Sequence, residues 1–328
     1  MSDLRWLSGD DPSGWDELAA LFTDRNREAI PEDRPYTGEE MRAGARHAPS
    51  YRCAFQVLAL RDGEAVAAAA GGMDRIREET AWMLFLYVAP PHRRRGIGST
   101  LLEAVRDMAR EGGRRMLHTM TVGIATGVRF AERAGGRRGL VVEQNRCRTA
   151  GLDRAHLRSW CERAAERASG YSLVAFDGTC PDEHLDNFVA AMPIMNTAPR
   201  TESTEDYVPS AEQVRENTAA LARQGTRSWT VCVRDDRTGR FVGYTELFFS
   251  VFRPWQAMQG DTGVHPEHRN RGLGRWLKAH NALRLLDQQP EVEFIETWNA
   301  DSNAAMLSIN RAMGFQVVAR RQEWEIPV

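Results

Sequence analysis

Val264-His265-Pro266-Glu267-His268-Arg269-Asn270-Arg271-Gly272-Leu273-Gly274 is the stretch whose reading decides the fold of this chain. It runs from the end of an apolar strand-like segment into a helical pattern over residues 275–286. Gly272 and Gly274 let the backbone turn tightly and approach a ligand closely. The first turn of the following helix leaves its N–H groups unpaired, with the positive end of the helix dipole pointing outward. That geometry suits a pyrophosphate. No Gly-Lys-Ser/Thr follows, and the three glycines of a dinucleotide fingerprint are missing, so neither of those phosphate loops fits.

Working outward, the stretch has a second copy: Val88-Ala89-Pro90-Pro91-His92-Arg93-Arg94-Arg95-Gly96-Ile97-Gly98. Valine, proline, histidine, two arginines and both glycines coincide, and Ile97 stands for Leu273. The copies lie about one domain length apart, and 328 residues are enough for two domains with separate cores. The chain therefore reads as a duplication. Around each copy runs the same order of elements: hairpin, strand, glycine loop, helix, strand, helix, strand. Parallel crossings mixed with antiparallel hairpins imply an α/β (α+β) mixed sheet with helices on both faces.

In the first half, helices are expected over 11–25 (with Ser13 as a cap), 37–47, 99–111 and 128–134. Strands are expected over 55–60, 65–70, 81–88, 116–122 and 140–148. In the second half, helices are expected over 182–192, 211–224, 275–286 and 303–313, with strands over 227–234, 241–249, 261–264, 294–298 and 317–325. The boundary is placed at the amphipathic segment 151–170, which carries no motif. This gives an N-terminal domain 1–150, a linker helix 151–170 and a C-terminal domain 171–328.

The two loops resemble the acyl-CoA-binding signature of the GNAT N-acetyltransferase superfamily, in which Arg or Gln, two residues, Gly, one residue and Gly or Ala follow a strand. The resemblance covers nearly the whole chain as two tandem GNAT domains, each a mixed, mainly antiparallel sheet flanked by helices. This organisation is similar to that of mycothiol synthase and its actinobacterial relatives. The run Thr297-Trp298-Asn299-Ala300 departs from mycothiol synthase itself, so that substrate is not carried over. The resemblance implies acetyl-CoA as cofactor. Its binding would fall to Val264, Arg269, Asn270, Arg271, Gly272, Leu273 and Gly274, and in the first copy to Val88, Arg93, Arg94, Arg95, Gly96, Ile97 and Gly98.

The halves are unequally equipped. Thr297 to Asn303, followed by Met306 to Phe315, resembles the superfamily's second cofactor motif, with Asn303 or Asn299 holding the pantetheine or phosphate arm. Asn303 also reads as a helix cap. The first half has Thr119 to Ile124 and Phe130 to Gly136, without either Asn. Glu246, within Gly243-Tyr244-Thr245-Glu246-Leu247, is a carboxylate on an otherwise apolar strand, and the resemblance implies a catalytic base there. The corresponding position in the first half is Ala70. A strand N–H near Val264 would serve the oxyanion. The superfamily's usual acid, a tyrosine four residues before the Gly of Gly-Phe, is Asn310 here and Ala131 in the first half, which leaves the acid unassigned.

The implied activity is acetyl-CoA-dependent N-acetylation of a primary amine of a small molecule, by direct transfer in the C-terminal domain. A non-catalytic acyl-CoA-binding or regulatory protein, or a transferase of another acyl group, is the alternative. His265 and His268 read as loop-shaping residues, since His92 repeats His268. Lys278 is the one lysine among 43 basic residues. It reads as a phosphate contact or as a solvated helix residue. Glu202 to Asp206 reads as an acceptor-binding or a solvated acidic loop.

A net charge of −2 gives no support for nucleic acid as partner. The five scattered cysteines suggest neither a disulfide framework nor a metal site. No apolar run approaches a membrane span, and Met1-Ser2-Asp3-Leu4 lacks the features of a signal peptide. A cytoplasmic protein, monomer or homodimer, is expected.

Overall fold

The computed structural model describes residues 3–122 and 125–328. Met1, Ser2, Gly123 and Ile124, which figure in the readings above, lie outside the described residues. In chain order the elements are β1 (Asp3–Trp6), α1 (Trp15–Arg27), α2 (Gly38–Arg46), β2 (Arg52–Arg61), β3 (Glu64–Asp74), β4 (Thr80–Val88), α3 (Ile97–Glu111), β5 (Met116–Val122), α4 (Ala125–Arg133) and β6 (Arg137–Arg148). They continue with α5 (Arg154–Arg167), β7 (Tyr171–Asp177), α6 (Asp182–Ala191), α7 (Ala211–Arg223), β8 (Thr226–Asp235), β9 (Phe241–Ser250), β10 (Gln256–Val264), α8 (Leu273–Gln288), β11 (Phe294–Ala300), α9 (Ala304–Met313) and β12 (Gln316–Pro327).

The chain forms two compact units. The first comprises Met1–Val142, Thr201–Glu205 and Ala319–Val328, and the second Glu143–Arg200 and Asp206–Val318. In the first unit the strand order is β1-β2-β3-β4-β5-β12. β3 is a run of alanines whose alternate members face opposite ways. Ala67 and Ala69 pack with Leu101, Val105 and Trp324, while Ala68 and Ala70 pack with Trp15, Leu18 and Tyr87. Helices accordingly cover both faces. In the second unit the order is β6-β11-β10-β9-β8-β7. Val231 and Val233 of β8 face Leu273 and Leu277 of α8, while Cys232 faces Leu185 and Phe188 of α6.

The mixed fold and tandem plan match the sequence reading, but the compact units do not follow the division 1–150, 151–170 and 171–328. The end of β12 belongs to the first unit, where Arg321–Pro327 pair antiparallel with Val122–Met116. The end of β6 belongs to the second, where Arg146 Nε donates to Glu296 Oε2 at 2.6 Å. The segment expected as a linker, α5, sits in the core of the second unit through Leu157 and Trp160, with Arg275 over the Trp160 ring at 5.4 Å. Its start is set by Asp153, whose carboxylate accepts from the N–H groups of Ala155 and His156.

Local differences have physical causes. Ser13 does not cap α1: its hydroxyl donates to Asp11 Oδ1 at 2.6 Å, and the helix begins after Gly14 in the left-handed region. β1 escaped notice because four residues carry too little alternation to register. β10 begins at Gln256, five residues before the expected start, since the buried polar residues Gln256 and Gln259 interrupt its apolar pattern. Among the described residues no helix is long and apolar enough to cross a membrane.

Candidate active site

The two glycine loops adopt the same backbone. Asn270 has φ 63° and Gly272 φ 82°; in the first unit Arg94 has φ 63° and Gly96 φ 84°. Gly272 and Gly96 are the N-caps of α8 and α3, and neither helix start receives a side-chain cap. A Cβ at either glycine would meet no atom within 4 Å, so it is the left-handed backbone, together with open space for a ligand, that favours glycine there. The first N–H groups of each helix thus face an open cradle, the arrangement that receives phosphate oxygens.

The side chains of the motifs divide into anchors and exposed groups. Arg269 Nε donates to the Val264 carbonyl at 2.9 Å and its guanidinium also holds Thr197 Oγ1 at 2.6 Å. Arg93 does the equivalent, to the Val88 carbonyl at 2.8 Å and to Glu28. Both arginines thus tie the loop to its own strand. Leu273 and Ile97 are buried core residues and offer only backbone to a ligand. Arg271, Arg94 and Arg95 are exposed. Gly274 gives room beside Ile309 and Val264, as Gly98 does beside Phe130 and Val88. His268 accepts or donates at Nδ1 with the Tyr171 hydroxyl at 2.8 Å, and His265, Glu267 and His268 bring ligand-type atoms within 4.8 Å of one another.

Below the loop, β10 and β11 part. Their parallel register covers Gln256–Met258 against Phe294–Glu296, yet β10 continues to Val264 and β11 to Ala300. On the other side β10 pairs with β9, with a register shift between Gln259 and Thr262. Gln259 stabilises the shift: its amide donates to the Glu246 carbonyl at 2.6 Å and to Thr245 Oγ1 at 3.1 Å. Glu246 sits opposite this bulge. The sequence reading missed Gln259 and Asp261, and no spacing signal marks a bulge in advance.

Glu246 is in unusual electrostatic surroundings. Burial, reinforced by the Asp261 charge, pushes its carboxyl up to about 8. The neighbouring Tyr244, fully buried, donates its hydroxyl to Asp261 Oδ2 at 3.2 Å and to the Met192 carbonyl at 3.4 Å. Burial first, then Asp261, raise its pKa well above the usual tyrosine value. Tyr244 therefore stays protonated and tied to Asp261.

At the far end of β11, Asn303 caps α9 by accepting from Met306 N at 3.3 Å. Asn299 Oδ1 accepts from Asn310 Nδ2 at 2.7 Å, and Lys278 Nζ donates to Asn310 Oδ1. Lys278 is only 2% exposed. It is neither a phosphate contact nor a solvated residue. The acidic loop departs from expectation at Glu205. Thr201–Glu205 belongs to the first unit, where the Glu205 carboxylate accepts from the N–H groups of Glu78, Glu79 and Thr80. Glu202 pairs with Arg137 at 3.0 Å, and Asp206 with Arg200 at 2.6 Å. Glu205 is committed to the fold, whereas the Glu202 and Asp206 side chains stay solvated, 85% and 63% exposed.

Each unit thus has an uncapped glycine loop beside a splayed parallel strand pair. The profile of the Acetyltransferase (GNAT) family matches residues 15–135 and 193–315, more than half of the chain. The chain belongs to the acetyltransferase (GNAT) family. It is thus an acyltransferase, of a family that generally uses acetyl-CoA. A structure described as a tandem GNAT protein from the clavulanic acid biosynthesis pathway, without AcCoA, is 25% identical, with a TM-score of 0.78 over 99% of this chain and 98% of that one. A GCN5-related N-acetyltransferase from Sphaerobacter thermophilus is 16% identical, with a TM-score of 0.69 over 99% and 95% of the two chains. No curated protein sequence matches this GNAT chain.

Proposed function

We propose that the second unit is an acetyl-CoA-dependent N-acetyltransferase that passes the acetyl group directly to a primary amine of a small molecule. The observation that carries this reading is Glu246, set on β9 opposite the β10 bulge with its carboxyl raised to about 8. An acceptor amine arrives as an ammonium and must lose a proton before its lone pair can attack. A base with a pKa near the working pH is suited to that task.

The cradle at Gly272 fits a pyrophosphate: uncapped helix N–H groups, open space at the glycine and exposed Arg271. The gap between β10 and β11 would receive the pantetheine arm, with Asn299 at its wall. The amine nitrogen forms a bond to the thioester carbon while its proton passes to Glu246, directly or through a water. Strand N–H groups of β10 beyond Met258 would hold the oxyanion. Collapse breaks the C–S bond and releases CoA as its thiolate, which then takes a proton.

The first unit retains the loop geometry but has Ala70 where the second has Glu246, and its role is proposed to be acyl-CoA binding without turnover. The test is release of free CoA from acetyl-CoA in the presence of a panel of amines, wild type against Glu246→Gln. Amine-dependent release by wild type that the variant lacks supports the proposal. Equal release by both would overturn the role of Glu246.

A further inference from the structure

The chain uses arginine almost everywhere a cation is needed, and places its one lysine where no solvent reaches. Burying an amine costs free energy, and the usual compensation is a carboxylate. Lys278 has none among its described hydrogen bonds. Its Nζ donates to Asn310 Oδ1 and lies 5.0 Å from the centre of the Phe315 ring, with Cys147 near enough to interact electrostatically. Burial lowers its pKa to about 7, so it changes charge in the neutral range, while Cys147, raised by burial to about 11, stays a neutral thiol.

The direction of the hydrogen bonds is dictated by chemistry. An ammonium can only donate, so the Asn310 atom facing it must be the oxygen. The Asn310 nitrogen is then turned to Asn299 and donates to its Oδ1 at 2.7 Å. With its oxygen occupied, Asn299 keeps its own NH₂ as the free end of the chain. Asn299 is partly exposed and lies on β11 beyond Glu296, the last residue paired with β10. Asn310 itself is buried at 1% exposure.

We propose that Lys278 is a positioning residue: through Asn310 it fixes the Asn299 carboxamide with its NH₂ aimed into the gap between β10 and β11, as a donor for an amide or thioester oxygen of the acyl-pantetheine arm. This rests on the transferase reading of the second unit. A methionine at 278 would fill the same space yet leave Asn310 and Asn299 free to flip. A neutral lysine amine, able to accept as well as donate, also enforces the order less firmly than the ammonium does.

The test is calorimetric titration of acetyl-CoA into protein carrying Glu246→Gln, which removes the titration of that carboxyl. Into this background go Lys278→Met, Asn299→Ala and their combination, at pH 6 and pH 8. Lys278→Met should weaken binding about five- to tenfold at pH 6, the worth of one hydrogen bond. Asn299→Ala should match it, the combination should be no worse than Asn299→Ala alone, and the effect of Lys278→Met should shrink at pH 8. Asn310→Asp serves where Lys278→Met fails to fold: it keeps a partner for Lys278 but cannot donate to Asn299, and should show the same loss. Unchanged affinity in Lys278→Met, or losses that multiply in the combination, would overturn the relay. Absence of binding by the parent protein would instead sink the transferase reading from which it starts.

Discussion

The two units share a loop and differ in what surrounds it. Arg94 and Asn270 have the same φ, Gly96 and Gly272 nearly so, and Arg93 and Arg269 both reach back to the strand that delivers them. Their strand pairs part in the same way: β4 and β5 are in register only over Thr80–Met83 and Met116–Thr119. Around that common frame the second unit carries a carboxylate at Glu246 with Asp261 beside it, and a buried lysine linked to two asparagines. The first carries Ala70 opposite Phe85, an apolar pair, and the carboxylates of that strand stand only at its two ends, Glu64 and Asp74. Loop geometry is kept by backbone requirements that any ligand-binding copy shares. The acid–base equipment differs at a single position that packing alone can fill, since Ala70 is buried against Trp15 and Tyr87.

Glu246→Gln attacks that difference most directly. It should lower amine-dependent acetyl transfer by about a hundred- to ten-thousandfold, the usual worth of a positioned general base. Acetyl-CoA binding should be nearly unchanged, and steady-state kinetics with separate titration would show whether the two effects part in this way.

The pH dependence sharpens the point. With Glu246 at about 8, kcat should rise with pH and level off above that value, because only the carboxylate accepts a proton. Stability should move oppositely. The folded carboxyl holds its proton up to about pH 8, whereas the unfolded one releases it near 4.5. The contribution of this group is full below 4.5 and is lost as pH rises through about 8. Lys278 bears on stability from the other side: its pKa falls from 10.5 to about 7 on folding, so its contribution is present at high pH and lost as pH falls towards 7. Thermal melts of wild type and Glu246→Gln between pH 5 and 9 would check the first of these, since the variant should lack the alkaline loss.

Asp261→Asn should have a smaller effect. Removing the like charge should move the inflection of the kcat profile down by about one pH unit, while Tyr244 keeps an oxygen to donate to. An unmoved inflection would mean that burial alone sets the Glu246 value.

Much of this was legible in the sequence, and the limits follow from the kind of signal involved. Glycines that must adopt positive φ beside arginines leave a spacing that a reader can find, which is why both loops and the tandem plan were visible. A single carboxylate in an apolar strand is visible for the same reason. Strand partners are not: nothing local in residues 143–148 or 319–328 says which strands they pair with. Lys278 was misread because lysine is usually solvated. The signal was in its helix, where Leu277, Ala279, Asn281 and Ala282 are all buried, a run with no outward face at that turn. Glu202 and Glu205 looked free to meet an acceptor because their partners, Arg137 and the backbone of residues 78–80, are distant in sequence.

The central claim is that the second unit is the working transferase and the first a binding copy at most. Its most direct measurement is calorimetric titration of acetyl-CoA into wild type, Gly272→Trp and Gly96→Trp, paired with amine-dependent CoA release by each. The left-handed backbone and the open cradle make tryptophan obstructive at both positions. The account predicts that Gly272→Trp abolishes turnover and the binding event that supports it, while Gly96→Trp leaves turnover intact. Turnover lost in Gly96→Trp and kept in Gly272→Trp would contradict it.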